Sequence, residues 1–199
     1  MKEVLLLKYG ELILKGANKN VFESAMLRDI KHKLKPFGSF SVIKAQSTVF
    51  VEPEDDLCDI DGALDACQKV FGIASICRAA VCDKNMDAIL ATVKEYVPQY
   101  LVGFKTFKAD AKRSAKSFPL KSPQIAAEVG GAVLESVRGI KVNVNTPDVT
   151  VMVEVRERYA YIHAGKLPGA GGMPAGSSGR GLLLLSGGID SPVAGFMMA

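Results

Sequence analysis

The chain has 199 residues, of which 48% are hydrophobic and 23% charged, with a formal net charge of +4. These proportions are close to the averages for soluble globular proteins and argue against an intrinsically disordered chain. No apolar run approaches the roughly 20 residues needed to cross a bilayer, and the apolar stretch after Met1 is too short for a secretory signal. We therefore expect a cytoplasmic protein without a membrane partner.

The first fifty residues show the pattern strand, helix, strand, strand. The apolar run Glu3–Tyr9 predicts a buried strand. Apolar residues then recur every four positions, and Asn20 with Glu23 has the spacing of a capping box, so a helix is predicted over residues 20–35. Two strands joined by a tight turn are predicted at residues 40–45 and 48–52.

Further along, helices and strands alternate with short connections. Alternate valines in the strand predicted at residues 149–156 should face one core. The order of elements favours small α+β domains over one doubly wound sheet. Helices are predicted at residues 57–70, 85–100 and 122–139, the last with Pro123 in its first turn. The remaining strands are predicted at residues 74–80, 104–111, 141–146 and 159–164.

A change of composition marks the end of this region. Residues 164–181 contain seven glycines, and glycine-rich segments without apolar periodicity are typical of flexible linkers. A four-leucine strand at residues 182–185 and a helix beginning near Pro192 are predicted after it.

The segment Ser186-Gly187-Gly188-Ile189-Asp190-Ser191 has the composition of a phosphate-binding loop. Glycines let backbone N–H groups approach phosphate oxygens, serine hydroxyls donate further bonds, and a helix N-terminus adds partial positive charge. No Gly-Lys-Ser/Thr follows, which disfavours kinase and GTPase chemistry of the Walker type. A purely structural Gly-Ser turn is the alternative, but the order strand, loop, helix favours a pyrophosphate site.

A second candidate site is a cluster of positive charge. Between residues 104 and 121 six basic residues face one acidic residue, a local charge of +5. Such a cluster favours a polyanionic partner, and it continues directly into the helix N-terminus predicted at Ser122. A solvated charged loop is the alternative; Phe118 would either pack or stack on a base.

The four cysteines show no metal-binding pattern. Cys58, Cys67, Cys77 and Cys82 have no CxxC spacing and lie among apolar neighbours. Small buried side chains in a reducing compartment are the expected reading, so no structural metal is predicted.

Together these segments resemble the tRNA 4-thiouridine synthetase (tRNA sulfurtransferase) family. The similar stretches are, in chain order, KYGELILKGANKNVFE, AKRSAKSFPLKS, PDVTVMVEVRERYAYIHAG and GMPAGSSGRGLLLLSGGIDSPVAG. SGGIDS itself resembles the signature of the PP-loop ATP pyrophosphatases. The resemblance implies an α+β fold: an N-terminal ferredoxin-like domain (residues 1–59) followed by a THUMP RNA-binding domain (60–165). A glycine-rich linker (166–179) and the first strand and helix start of an α/β PP-loop domain (180–199) would complete the chain.

The resemblance also implies a reaction. ATP, with Mg²⁺, would adenylate uridine O4 of tRNA, and a persulfide sulfur would displace AMP to leave 4-thiouridine. A donor such as a cysteine desulfurase would supply the persulfide. Transfer of sulfur for the thiazole of thiamine is a further expected role. Whether a rhodanese-like domain takes part in sulfur delivery stays open.

By the same resemblance, contacts to ATP and pyrophosphate are expected at Leu185, Ser186, Gly187, Gly188, Asp190 and Ser191. RNA contacts are expected at Lys105, Lys108, Lys112, Arg113, Lys116 and Lys121. Asp190 would repel phosphates unless it binds Mg²⁺ or orients a donor, so one of those roles is expected. The basic residues of the first helix region, Lys15, Lys19, Arg28, Lys31, Lys33 and Lys35, form either a further RNA surface or an ordinary solvated face.

The family's later PP-loop strands, with the sulfur-transferring cysteine, do not occur in these 199 residues. The catalytic residue is therefore unassigned, and the chain by itself is expected to bind tRNA without thiolating it. Residues 182–199 cannot bury their apolar faces alone; a homodimer partner, a domain swap or docking on the THUMP domain would each cover them. Two alternatives remain: a free-standing THUMP module with a vestigial tail, and a PP-loop enzyme with a small-molecule substrate, against which the basic segment argues.

Overall fold

The computed structural model describes residues 1–14, 19–177, 179 and 181–198. Within them the chain forms two compact units. The first unit contains residues 7–76 and 168–199, and the second unit contains residues 1–6 and 77–167. Strands β1 (Glu3–Tyr9) and β4 (Ile73–Asp83) each contribute residues to both units.

The first unit places helices α1 (Lys19–Leu34) and α2 (Ile60–Gln68) beside the hairpin of β2 (Phe40–Ala45) and β3 (Thr48–Pro53). The two strands pair antiparallel, and Gln46 takes a positive φ of 54° in the turn between them. Strand order in this unit is β2-β3-β1. The apolar stripe of α1 supplies fully buried Met26 and Ile30 to the core.

The second unit is built on strands in the order β4-β8-β7-β5-β6. Strands β7 and β8 pair antiparallel, as do β8 and β4, whereas β5 runs parallel to both β7 and β6. The elements of this unit after β4 are α3 (Met86–Tyr96), β5 (Thr106–Arg113), α4 (Ser122–Ser136), β6 (Lys141–Val142), β7 (Val149–Val155) and β8 (Tyr159–Ala164).

The core of the second unit lies between one face of this sheet and helices α3 and α4. Alternation along β7 directs its valines to this face, and Val151, Val153 and Val155 are fully buried there with Phe107 of β5. Helix α4 adds Ile125, Val129 and Val133 at helical spacing. Because this face is covered, the polar residues of β5 must emerge on the opposite face.

Several predicted element limits are wrong, each for a local reason. Helix α1 already includes Lys19, so Asn20 lies inside it and is not the N-cap. Helix α2 begins only after Asp59, whose side chain accepts a hydrogen bond from the Gly62 amide at 2.9 Å. Helix α3 ends at Tyr96, and a 3₁₀ turn at Pro98–Tyr100 follows because proline has no N–H to continue the helix.

Two further segments differ from prediction. Only Lys141–Val142 pair as a strand, because the Asn143 side chain bonds to Thr146 and closes a turn instead. Residues 182–185 form no strand: the described residues around them offer no neighbouring strand, and their leucine side chains are largely exposed. Helix α5 (Asp190–Met198) does form, with Pro192 in its first turn as predicted.

Candidate nucleic-acid interface

The basic segment lies where β5 leads into α4. Along β5, Phe107 and Ala111 face the core, so Lys108, Asp110 and Lys112 alternate onto the opposite face of the sheet. Phe118 is 3% exposed and belongs to the core cluster, so it packs rather than stacks on a ligand. The segment therefore consists of β5 and a surface loop of residues 114–121, called the basic loop, which Ala115 and Phe118 fasten to the core.

The Arg113 side chain fastens the same loop by binding backbone carbonyl oxygens of the loop. The guanidinium Nη1 donates to the carbonyl oxygens of Phe118 at 2.8 Å and Leu120 at 3.4 Å. Ser114 closes the start of the loop by donating its amide to the Val155 carbonyl oxygen at 2.9 Å. Arg113 thus shapes the basic loop, whatever contact its remaining N–H groups make.

The lysines of the segment differ in how they are held. Lys112, Lys116 and Lys121 are exposed, and among the described residues no hydrogen bond or ion pair holds their amino groups. The amino group of Lys108 lies 3.6 Å from Asp110, and Lys105 is exposed at the start of β5, where Asp148 accepts its backbone amide at 3.1 Å. Among the described residues, free cations therefore lie on the sheet face at Lys112, in the loop at Lys116 and at the N-cap of α4 at Lys121.

Helix α4 begins within this cluster. The Lys121 backbone amide donates to the Gln124 side chain at 2.9 Å, which closes half of a capping arrangement, and Pro123 occupies the first turn. The unpaired amides at a helix N-terminus carry partial positive charge. The field of α4 thus adds to that of the free lysines.

A buried ionic group lies on the same sheet face and was not anticipated. Glu154, the register neighbour of Lys112, is 2% exposed and bonds to Arg156 at 2.6 Å. His163 is also buried, with Nε2 at an ion-pair distance of 3.6 Å from Glu154 and Nδ1 at 3.1 Å from the Gly165 carbonyl oxygen. The alternation Glu154-Val155-Arg156 in an apolar strand was the available sequence signal.

The electrostatics of this group follow from its partners. Burial of the ring opposes the charged form, but the neighbouring Cys77 and Glu154 raise the pKa of His163 to about 9. With Arg156 and a protonated His163 beside it, the Glu154 carboxylate is neutralised locally. It therefore subtracts little from the positive field of Lys112.

The basic residues of α1 separate into paired and unpaired sets. Lys19 lies 3.6 Å from Glu23, and Lys33 lies 3.1 Å from Asp29 and donates to the Lys69 carbonyl oxygen. Arg28 and Lys31 of α1 and Lys35 directly after it are exposed and have no such partner among the described residues. Lys15 lies outside the described residues.

The candidate pyrophosphate loop precedes α5. The Ser186 amide donates to Ser191 Oγ at 3.0 Å, the two serine hydroxyls lie 3.1 Å apart, and the Gly188 amide reaches Ser186 Oγ at 3.4 Å. Leu185 and Asp190 are exposed at the two ends of the loop, with Asp190 in the first turn of the helix. The six predicted residues are therefore together, in one turn closed by a pair of serines.

This loop fits a phosphate group. A Cβ built on Gly187 would meet nothing within 4 Å, so the backbone there is open to an approaching anion. The loop is followed by nine helical residues, which give the helix a field at its N-terminus. Glycine amides, two hydroxyls and a helix N-terminus are the donor set that pyrophosphate requires.

The remaining predicted features carry less chemistry. Burial raises the pKa of the Cys67 thiol to about 12 and also raises that of Cys82, which makes both weak nucleophiles. Within the described part of the chain, no three His, Cys, Asp or Glu side chains are grouped to hold a metal ion. No described helix is both long enough and apolar enough to span a bilayer.

Comparison with known families matches three successive parts of the chain. Residues 4–77 match the ThiI ferredoxin-like domain, residues 83–164 the THUMP domain, and residues 176–199 the thiamine biosynthesis protein ThiI. In these three parts, in this order, the chain is similar to the tRNA sulfurtransferase (ThiI) family. Its fold is α+β, with a ferredoxin-like domain, a THUMP domain and the start of a PP-loop domain in that order, which confirms the predicted fold class.

Individual relatives agree. The probable tRNA sulfurtransferase of Caldanaerobacter subterraneus is 43% identical over 198 residues, and that of Alkaliphilus oremlandii is 42% identical over 201 residues. Each alignment covers 100% of this chain and 50% of the relative, so the chain spans about half the length of the curated relatives it matches. A crystal structure of a 4-thiouridine synthetase in complex with RNA and ATP aligns with a TM-score of 0.84 and 30% identity, over 98% of this chain and 49% of that one.

Proposed function

We propose that this chain is the tRNA-binding half of an ATP-dependent tRNA sulfurtransferase that converts a uridine of tRNA to 4-thiouridine. The observation that carries the proposal is the stretch where β5 leads through the basic loop into α4, in which Lys112, Lys116 and Lys121 are exposed and, among the described residues, unpaired. Free cations along one short stretch of chain that ends at a helix N-terminus suit a phosphodiester backbone. The resemblance of the fold to a synthetase solved with RNA supports the choice of partner.

Within this interface we assign two kinds of role. Lys105, Lys108, Lys112, Lys116 and Lys121 contact phosphates, and Lys108 contributes less than the others because it gives up its ion pair with Asp110 on binding. Arg113 holds the loop in shape through its bonds to Phe118 and Leu120 and offers its remaining N–H groups to RNA. Loss of Arg113 should thus affect both the loop and the contact.

The loop of residues 185–191 is proposed to hold the pyrophosphate part of ATP. The amides of Gly187 and Gly188 and the hydroxyls of Ser186 and Ser191 would donate to phosphate oxygens once the two serines release each other. Asp190, in the first turn of α5, would bind Mg²⁺ or orient one of these donors. Bound ATP would supply the adenylate that makes uridine O4 a leaving group.

No residue of this chain is assigned to the sulfur-transfer step. A cytoplasmic location remains a proposal from the sequence, and a homodimer remains a proposal from the need to cover residues 182–199. A persulfide donor such as a cysteine desulfurase and a role in supplying sulfur for the thiazole of thiamine remain proposals from the resemblance. So do the domain limits at residues 59, 165 and 179. Consistent with a need for a covering partner, Leu182, Leu184 and Leu185 are largely exposed.

The proposal is tested by tRNA binding at several salt concentrations. Replacing Lys112, Lys116 and Lys121 together with alanine should weaken binding and reduce the slope of log K against log salt by about 2, because each lost phosphate contact removes about 0.7–0.9 released counterions. Fluorescence anisotropy with end-labelled tRNA between 50 and 200 mM salt measures both quantities.

A matched control removes the same charge elsewhere. Lys69, Lys84 and Lys94 lie outside the basic loop, and their triple alanine variant has the same net charge as the test variant. It should keep most of the wild-type slope. Equal losses in the two variants would show that only net charge matters, and an unchanged slope in the test variant would refute the assigned interface.

A further inference from the structure

The glycine-rich segment predicted as a linker is hydrogen-bonded to the start of β4 within the first unit. Its residues 168–177, named the strap here, run beside the loop between α2 and β4. The Gly169 amide donates to the Ala74 carbonyl oxygen at 3.0 Å, and the Gly171 amide donates to that of Ile73 at 2.8 Å. In return the Gly72 amide donates to the Gly171 carbonyl oxygen at 2.7 Å. A mobile linker would make no such ladder.

Side chains anchor the strap at both ends of this ladder. The Gln68 side-chain amide donates to the Pro168 carbonyl oxygen at 3.1 Å. Pro174 is buried, and a Cβ on Gly72 would lie 3.1 Å from its ring, 3.2 Å from Met26 and 3.4 Å from Leu12. Pro174 therefore enters the apolar core of the first unit.

Gly169 is required by close approach of two backbones. A Cβ at this position would lie 2.2 Å from the Ile73 carbonyl oxygen and 2.9 Å from its carbonyl carbon. Both are backbone atoms, so they cannot turn away as a flexible side chain would. Any larger residue at position 169 must push the strap off β4.

The strap also reaches the helix that follows the pyrophosphate loop. Phe71 lies 3.7 Å from the position of a Cβ on Gly172, and its ring centroid lies 5.8 Å from that of Phe196 in α5. The Phe71 ring therefore pairs with Phe196 of α5 and lies close to Gly172 of the strap. Near Phe196, Gly195 leaves room for Leu183, since a Cβ on Gly195 would lie 2.6 Å from the Leu183 side chain.

We propose that the strap positions the candidate pyrophosphate loop by fixing its helix α5 on Phe71 of the first unit, with Gly169 as the positioning residue. The inference rests on the proposed role of residues 185–191. In this proposal, a segment that was predicted as a linker determines the position of the nucleotide site. Because residues 168–199 belong to the same compact unit as residues 7–76, the loop should move with that unit.

The test uses residue-level amide exchange and ring contacts in the ¹⁵N-labelled 199-residue chain. Gly169→Ala should speed exchange of the Gly72 and Gly171 amides at least tenfold and abolish the nuclear Overhauser contact between Phe71 and Phe196. Gly181→Ala is the matched control, because a Cβ there meets nothing within 4 Å. It should leave both signals unchanged.

A milder variant guards against global unfolding. Gln68→Ala removes only the bond to Pro168 and adds no atoms, so it should speed exchange at Gly169 and Gly171 severalfold and weaken the ring contact. If Gly169→Ala also loses the amide-exchange protection of the β2–β3 hairpin, the result for Gln68→Ala decides whether the inference holds. Unchanged strap exchange, or a loosened strap with the Phe71–Phe196 contact intact, would overturn the inference. Neither readout involves RNA or ATP, so this result and that of the tRNA titration are independent.

Discussion

The buried ion pair of His163 predicts a stability that depends on pH near neutrality. The ordinary pKa of 6.5 is raised to about 9 in the folded chain. A group whose pKa is raised on folding stabilises the protein fully below the unfolded value, and this contribution is lost as the pH rises through the folded value. The relevant window therefore runs from about pH 6.5 to pH 9.

The size of the effect follows from this shift. At 1.36 kcal/mol per pKa unit, the free energy of unfolding should fall by about 2–3 kcal/mol between pH 5.5 and pH 8.5 through this group alone. Staying below pH 9 keeps the buried thiols of Cys67 and Cys82, whose pKa values are also raised, from contributing.

Urea unfolding followed by circular dichroism at four pH values measures the effect. His163→Gln should be less stable than the wild type at pH 5.5 and should lose this part of the pH dependence. The chain has only two histidines, and His32 is exposed on α1, so His32→Gln is a matched control that should keep the wild-type slope. Parallel stability curves for wild type and His163→Gln would refute the reasoning.

Three further predictions follow from other contacts. Phe118→Ala should lower the free energy of unfolding by about 3–5 kcal/mol in urea titrations, whereas half-exposed Phe104→Ala should cost far less, because only Phe118 fills the core; equal costs would contradict the packing role. The Glu3 carboxylate accepts hydrogen bonds from Arg78, Tyr96 and Tyr100, and although burial opposes ionisation, these partners lower its pKa. The contribution of ionised Glu3 to the free energy of unfolding is present above pH 4.5 and is lost as the pH falls through the folded pKa. Glu3→Gln should therefore destabilise the chain by about 1–3 kcal/mol at pH 7 and reduce the pH dependence of acid unfolding below pH 4.5. An unchanged midpoint of acid unfolding would contradict this role. If the α1 region also contacts RNA, replacing Arg28, Lys31 and Lys35 with alanine should reduce the slope of log K against log salt for tRNA binding by about 2. Replacing the paired Lys19 and Lys33 with alanine should reduce this slope by less. No change in the first variant would show that α1 is an ordinary solvated face.

The local elements were accessible from sequence because periodicity depends only on neighbouring residues. Alternating valines predicted β7, the recurrence of apolar residues predicted α1, and the order strand, helix, strand predicted α+β units. The motif SGGIDS and the basic segment were also readable, since their chemistry lies in consecutive residues. The resemblance to the family could be inferred from the same stretches and is confirmed by the three family matches.

What periodicity could not supply are contacts between distant residues. The charge state of His163 depends on Glu154 in another strand and on Cys77 in a third. Which basic residue holds the basic loop in shape depends on where Arg113 finds carbonyl oxygens to bind. The strap is the clearest case. Its glycines are typical of a linker in sequence, but at Gly169 the backbone of β4 approaches too closely for any Cβ. Sequence determined the elements and their candidate chemistry, and tertiary structure decided which residues are held in place and which remain free to bind, because burial and pairing are properties of the folded neighbourhood.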